Sequence, residues 1–220
     1  MSSAAETDPW LRPEWDKAAL LTIDVQVDFI EGGANPVPGT AAVLPAVTEL
    51  LTAFRTAGRP VVHVVRLYDG ADVDLVRRGL LATGAPIVRP GSPGAQPAAP
   101  LRPVTAPPLD PAMLLSGDFQ QWGPAEWVMW KPRWGAFHRT DLEGFLRRRG
   151  VTTVVVAGCN FPNCPRATIV QASERDLRVV LAADAMSGLR DWHVAETEGI
   201  GVLPLPVEAI AAALPGAAVS

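Results

Sequence analysis

Apolar residues run along this chain in two alternating rhythms, short unbroken runs and longer stretches at helical spacing. Residues 18–24, AALLTID, form an apolar run that ends on an acid, the pattern of a strand buried on both faces. Beyond a Gly/Pro loop at 32–39, Val43, Val47, Leu50, Leu51 and Phe54 recur at helical spacing, between Thr40 as a cap and Gly58 as a stop. Further strands are predicted at 60–67 (PVVHVVRL), 127–130 (WVMW), 152–158 (TTVVVAG), 178–184 (RVVLAAD) and near 200–204. Helices fit at 140–149, 165–175 and 206–214. Strands alternating with helices predict an α/β fold, a doubly wound, mostly parallel β-sheet flanked by helices on both faces. One segment breaks the rhythm: 89–111 carries eight prolines in 23 residues, which excludes regular structure there. Segments of that kind serve as linkers, disordered stretches or lids. Because strands continue on both sides, it reads as an excursion from one domain spanning 1–220.

Composition narrows the function classes. At 220 residues and 48% hydrophobic content the chain can bury a sizeable core. A formal net charge of -4 leaves no basic surface for a phosphate backbone, so nucleic acid is not an expected partner. Residues 1–14 have no basic segment followed by an apolar one, and no apolar run approaches the roughly 20 residues that span a bilayer. A cytoplasmic protein with no membrane partner is expected. The two cysteines, Cys159 and Cys164, lie five apart, which fits a reduced compartment better than a disulfide framework. His63, His138 and His193 have no ligand spacing, so neither a metal nor another cofactor is expected.

Three residues stand where chemistry is possible. Cys164 follows the strand at 152–158 and precedes Pro165, a residue favoured in a helix's first turn, so it reads as the helix N-cap. There the positive end of the helix would favour thiolate, although most free cysteines are merely small buried hydrophobes. Asp24 ends the first strand, and the carboxyl ends of parallel strands open into the ligand crevice; an acid there can equally cap a turn. Lys131 ends WVMW, and only it and Lys17 are lysines among 19 basic residues. A solvated lysine is the alternative to a compact ammonium required at that place. Taken together, acid, ammonium and thiol would converge from three strand ends. Around them, Arg66 and Tyr68, the only tyrosine, could orient a polar substrate or pack at the surface. Trp134 and Phe137 could wall a pocket or belong to the core. Gln26 and Asp28 could orient Asp24 or hydrogen-bond within the loop.

The runs IDVQVDF (23–29), KPRWGAF (131–137) and GCNFPNCPRATIVQASERDLRVV (158–180) resemble the isochorismatase-like hydrolases, whose members include nicotinamidases, N-carbamoylsarcosine amidases and biuret hydrolases. The resemblance covers about 18–188 in consistent order. It implies a catalytic triad of Asp24, Lys131 and Cys164. It further implies a cis peptide at Cys159–Asn160 and an oxyanion hole formed by the N–H groups of Asn160 and Cys164. Two positions depart from the family pattern: Phe161 stands where Thr is common, expected to alter the pocket wall and contact substrate, and Pro165 replaces Val. Nicotinamidases carry an Asp-x-His…His metal site after the second strand, whereas RLYDGADVDLVRR (66–78) contains no histidine.

The expected reaction is thiolate attack on the carbonyl of an amide, ureide or lactam, proton transfer by Asp24 and hydrolysis of a thioester. The expected partners are a small-molecule substrate and further copies of the chain, as a dimer or tetramer. Two alternatives stay open, a vinyl-ether hydrolase of isochorismatase type and a catalytically silent binding module. A dinucleotide-binding domain is disfavoured, because no Gly-x-Gly-x-x-Gly follows the first strand.

Overall fold

The computed structural model describes residues 8–70 and 72–216. At its centre lies β1 (Ala18–Ile23), all six residues buried. Its side chains alternate between faces: Ala19, Leu21 and Ile23 enter one apolar cluster, Ala18 and Leu20 the other. That is why the run reads as unbroken apolar sequence. β1 pairs in parallel with β2 (Val61–Val65) on one side and β5 (Thr153–Gly158) on the other. The sheet continues through β4 (Glu126–Trp130) beyond β2, and through β6 (Arg178–Met186) and β7 (Val202–Leu205) beyond β5, all in parallel. A short β3 (Gln120–Gly123) closes one edge antiparallel to β4, giving the order β3-β4-β2-β1-β5-β6-β7. The chain therefore leaves β1 towards one edge and later returns to its other flank. This reversal opens a crevice at the carboxyl ends of β1 and β5.

Helices cover both faces. α1 (Thr40–Thr56) and α7 (Val207–Ala213) place Val47, Leu50, Leu51, Phe54 and Ile210 against one face. α4 (Leu142–Arg147) and α5 (Cys164–Ser173) place Leu142, Phe145, Leu146, Ile169 and Ala172 against the other. Three further helices, α2 (Leu75–Ala82), α3 (Pro111–Leu115) and α6 (Asp191–Glu198), were not predicted, nor was β3. Their sequences explain the omission. No residue of α2 is buried, α6 buries only His193 and Thr197, and β3 is a half-buried QQWG edge. Without a buried apolar stripe there is no periodicity to read.

The proline-rich excursion contains two short 3-10 turns, at Pro93–Ala95 and Ala99–Leu101, and buries Ala95, Ala98 and Leu101. It is tied to the loop after β1 by Val27 N–H to the Gln96 carbonyl at 3.0 Å and Ala98 N–H to the Val25 carbonyl at 2.9 Å. Prolines exclude ladders and α-helix, yet they preset φ for such turns. Under it lies a third apolar cluster that includes Phe29, Leu67, Val88 and Leu114.

Two contacts fix the sheet near the crevice. Gly158, at φ +121°, lets β5 approach β1 so closely that a Cβ would stand 2.3 Å from the Ile23 carbonyl oxygen. Across β1, β2 and β4 runs a buried polar chain. His63 Nδ1 lies 2.8 Å from Thr22 Oγ1, His63 Nε2 lies 2.8 Å from Glu126 Oε1, and Arg55 of α1 donates two bonds to the same carboxylate at 2.7 and 2.8 Å. Burial alone would raise the Glu126 pKa, but the hydrogen bonds from Arg55 and His63 outweigh it and hold the carboxyl at about 2 against an ordinary 4.5. A depressed carboxyl pKa stabilises the fold above its unfolded value, and that stability is lost as pH falls through the folded value. The thermal midpoint should therefore fall steeply between about pH 4.5 and 2. Glu126→Gln should lower the midpoint at neutral pH and flatten that acid limb. An acid limb of unchanged slope in the variant would mean that other carboxylates govern it.

Candidate active site

Asp24 is the first residue beyond β1 and turns the chain with φ +53°, a left-handed conformation that aspartate tolerates better than most residues. Its N–H donates to the Val64 carbonyl at 2.9 Å, anchoring it to β2. Lys131 is the first residue beyond β4, and its N–H donates to the Val65 carbonyl at 3.0 Å. Two strand ends thus aim an acid and an ammonium at one point. Lys131 Nζ donates to Asp24 Oδ2 at 2.9 Å and to the Arg133 carbonyl at 3.3 Å, and the lysine has no exposed surface. The other oxygen, Asp24 Oδ1, is buried without a well-aligned partner. An unpaired carboxylate oxygen in a closed site is ready to accept a proton or a donor.

Cys164 opens α5, with Asn163 at the cap and Pro165 behind. The expected position, the cap itself, is therefore shifted by one: Cys164 is the first helical residue. A lowered thiol pKa, expected from the helix end and Lys131, is also overturned. Burial first, then the charge of Asp24 and a loose thiol–carboxylate hydrogen bond, push the thiol up to about 12, while Lys131 and Arg66 pull it down without prevailing. At neutral pH the resting sulfur carries its proton. Cys159 is likewise pushed up to about 12, by burial first and then by Asp24. Its roles are structural, with its N–H donating to the Ile23 carbonyl at 2.9 Å and its Sγ lying 3.6 Å from the Asp24 carbonyl oxygen. The Cys159–Asn160 peptide bond is cis. Among the described residues the N–H groups of Asn160 and Cys164 have no hydrogen-bond acceptor.

Asp24, Cys159, Asn160, Asn163 and Cys164 line a cavity of about 30 Å³, and Lys131 is buried behind Asp24. Of the side chains expected to meet substrate, Arg66, Tyr68 and Trp134 line it. Gln26, Phe137 and Phe161 do not. Gln26 is fully buried and spends its amide on backbone: Nε2 donates to the Arg66 and Ala95 carbonyls at 2.8 and 2.7 Å, and Oε1 accepts from Arg66 N–H at 2.7 Å. Phe137 sits in the core beside α4 and α5. Phe161 is fully buried with its ring 4.7 Å from that of His193, so the departure from Thr changes the core and not the pocket wall. Asp28 organises the loop, accepting Val88 N–H at 2.6 Å and Ala34 N–H at 3.3 Å. Sequence reasoning missed Phe29, Val37, Arg77 and Asn163, which also line the cavity. Phe29 and Asn163 lie inside quoted motif runs, and Arg77 in the histidine-free segment. Val37, in a Gly/Pro loop, carried no signal. That segment supplies arginines and Asp74 where a zinc site would need imidazoles, and no group of three His, Cys, Asp or Glu among the described residues could hold a metal ion.

The doubly wound sheet, its crevice and the acid, ammonium and thiol at the strand ends define an α/β protein of isochorismatase-like architecture. The Isochorismatase domain model matches residues 18–201. The chain is 32% identical over 198 residues to the "Probable inactive nicotinamidase At3g16190" of Arabidopsis thaliana, covering 86% of this chain and 91% of that protein. It is 29% identical over 180 residues to the "Ureidoacrylate amidohydrolase RutB" of Methylobacterium radiotolerans, covering 76% of this chain and 65% of that one. The crystal structure of an isochorismatase family protein from Desulfovibrio vulgaris superposes with a TM-score of 0.75 at 32% identity, over 88% of this chain and 96% of that chain. The chain belongs to the isochorismatase family.

The thiol environments generate a labelling prediction. With both sulfurs held up by burial and by Asp24, iodoacetamide should modify the partly exposed Cys164 slowly at pH 7 and faster as pH rises, while buried Cys159 resists until the protein unfolds. Asp24→Asn removes the negative charge and should speed Cys164 labelling at pH 8, whereas Lys131→Met should slow it. Peptide mapping after timed alkylation reads both. Rapid Cys164 labelling at pH 7, unaffected by Asp24→Asn, would overturn the electrostatic account.

Proposed function

We propose that the crevice is the active site of a cysteine hydrolase that cleaves the C–N bond of a small amide, ureide or lactam through a thioester on Cys164. The observation that carries this reading is the Asp24 carboxylate: one oxygen is held by Lys131 at 2.9 Å, and the other has no well-aligned partner and faces the Cys164 thiol. The name of the RutB relative, an amidohydrolase, points to the same bond class.

As Sγ closes on the carbonyl carbon, its proton passes to Asp24 Oδ1, so thiolate forms only as it is consumed. The carbonyl π-electrons move onto oxygen, which accepts from the N–H groups of Asn160 and Cys164. An amide nitrogen does not depart as an anion, so Asp24 returns the proton to nitrogen while the C–N bond breaks and ammonia or an amine leaves. Asp24 then deprotonates a water that adds to the thioester. The C–S bond breaks, and the proton on Asp24 returns to sulfur, restoring the resting thiol. Lys131 keeps Asp24 in place through both transfers. The word "inactive" in the Arabidopsis relative's name favours a second reading, a silent binding module on this fold. Acid, ammonium and thiol, retained together here, speak for chemistry.

Ammonia or amine release from a panel of small amides, ureides and lactams tests the reading. Cys164→Ala should abolish turnover and retain binding. Asp24→Asn should cost roughly 10²–10⁴-fold in rate, the usual worth of a positioned acid–base group. Lys131→Met should damage both stability and rate, because breaking a buried pair costs about 3–5 kcal/mol. If Cys164→Ala kept more than a trace of activity on the best substrate, a cysteine-free route would replace this mechanism. If no member of the panel is turned over but some bind, the silent module is the correct reading.

A further inference from the structure

Arg66 is a buried charged residue in the crevice that the proposed mechanism leaves unused. It follows β2 directly, and its backbone is clamped on both sides by Gln26, whose amide takes the Arg66 N–H at 2.7 Å and gives a hydrogen to its carbonyl at 2.8 Å. Only 2% of the residue is exposed. Its guanidinium lies 4.9 Å from the centre of the Tyr68 ring, and Nη2 donates to Asp74, the acid that caps α2 by accepting Arg77 N–H at 3.1 Å. The residue is therefore held at its backbone by Gln26 and at its guanidinium by Tyr68 and Asp74. Nη1, however, is buried with no partner among the described residues, and the residue lines the same cavity as Cys164. A guanidinium stays protonated in a protein, and an unmet donor in a closed site costs free energy. A rigidly held cation with one fork arm vacant is the arrangement that receives a ligand acceptor.

The charge balance around the cavity says what acceptor. Lys131 is matched by Asp24 and Arg66 by Asp74. Arg77 also lines the cavity, and among the described residues its side chain has no ion pair. The crevice thus holds one more positive side chain than it has carboxylates to pair with, together with a vacant planar donor. A neutral carbonyl would satisfy Nη1 and leave that charge. A carboxylate satisfies both, because one of its oxygens can accept from Nη1 while its charge offsets that of Arg77. The small cavity of about 30 Å³ and its wall of Phe29 and Val37 favour a short acid over a bulky one.

We infer that Arg66, assisted by Arg77, is a carboxylate anchor, and that the substrate is a compact amide or ureide bearing a free carboxylate a few bonds from the scissile carbonyl. The inference rests on the hydrolase reading for the bond that is cleaved, and on Arg66 alone for the charge of what binds. Arg66 is a binding residue in this scheme and transfers no proton.

Calorimetric titration of the Cys164→Ala protein separates the two. The probes are the monoamides of malonic, succinic and glutaric acids and N-carbamoylglycine, each paired with its neutral carboxamide analogue. At least one acid should bind roughly 10- to 100-fold tighter than its neutral partner, the range expected for hydrogen bonds to a charged group. Arg66→Met in the same background should erase that preference. Because this change strands buried Asp74, the double variant Arg66→Met/Asp74→Asn is measured beside it, with thermal unfolding confirming the fold. Wild-type protein is assayed on the same compounds for ammonia release. Absence of a preference for the acid in every pair, or a preference that survives the double variant, would overturn the anchor. Acid-selective binding without ammonia release would keep the anchor and refute the hydrolase. Ammonia release with equal rates on acid and neutral partners would keep the hydrolase and refute the anchor.

Discussion

The Lys131 ammonium and the Asp24 carboxylate meet at 2.9 Å out of reach of solvent, and the arrangement of the crevice follows from holding them there. Removing two charges from water is expensive, and their attraction offsets it only when geometry is good and the remaining hydrogens find acceptors. Lys131 gives two of its hydrogens to good acceptors, Asp24 Oδ2 and the Arg133 carbonyl. The two residues are carried by β1 and β4, strands separated in the sheet by β2, so β2 must keep its register for the pair to form. Backbone bonds from Asp24 and Lys131 to Val64 and Val65 enforce it. The buried chain through Thr22, His63, Glu126 and Arg55 fixes the same three strands lower down, before they reach the crevice.

That pair also sets the state of the sulfur. Asp24 is held as an acceptor, and burial joins its charge in keeping the neighbouring thiol protonated. The site therefore rests with a protonated thiol beside a buried carboxylate. A masked thiol also reacts less readily with stray electrophiles and oxidants.

Much of this was legible along the chain. The strands that became β1, β2 and β5 are buried on both faces, so their sequences are continuous apolar runs whose carboxyl ends could be located, and with them Asp24 and the approach to Cys164; Lys131 was marked by the short apolar run of β4. Elements whose side chains face solvent, such as α2 and β3, left no such trace. Within the site the division is similar. Arg66 and Tyr68 follow β2 and could be inferred from that position, but a sequence does not distinguish an amide turned towards a ligand from one spent on backbone, which is the fate of Gln26. Nor does it reveal that Phe161 points into the core, since direction at the end of β5 depends on how the chain turns after Gly158. The expected low thiol pKa failed for a related reason: a helix end and a cation are visible in sequence, while desolvation depends on everything packed around the sulfur.

The proline-rich excursion is pinned at two places, around 96–98 and at 109–110. Its first part is stitched to the loop after β1, and its end is held where Leu109 N–H donates to Gln96 Oε1 at 3.1 Å and Asp110 N–H to Gln120 Oε1 at 2.8 Å. Between these stitches Val104 is fully exposed. The stretch from 102 to 107 is thus a natural graft point, since inserted sequence there would be tethered at both ends without burdening the backbone that positions Arg66. A peptide tag or a small binding loop installed at that tip would travel with the protein as cargo and leave its crevice undisturbed.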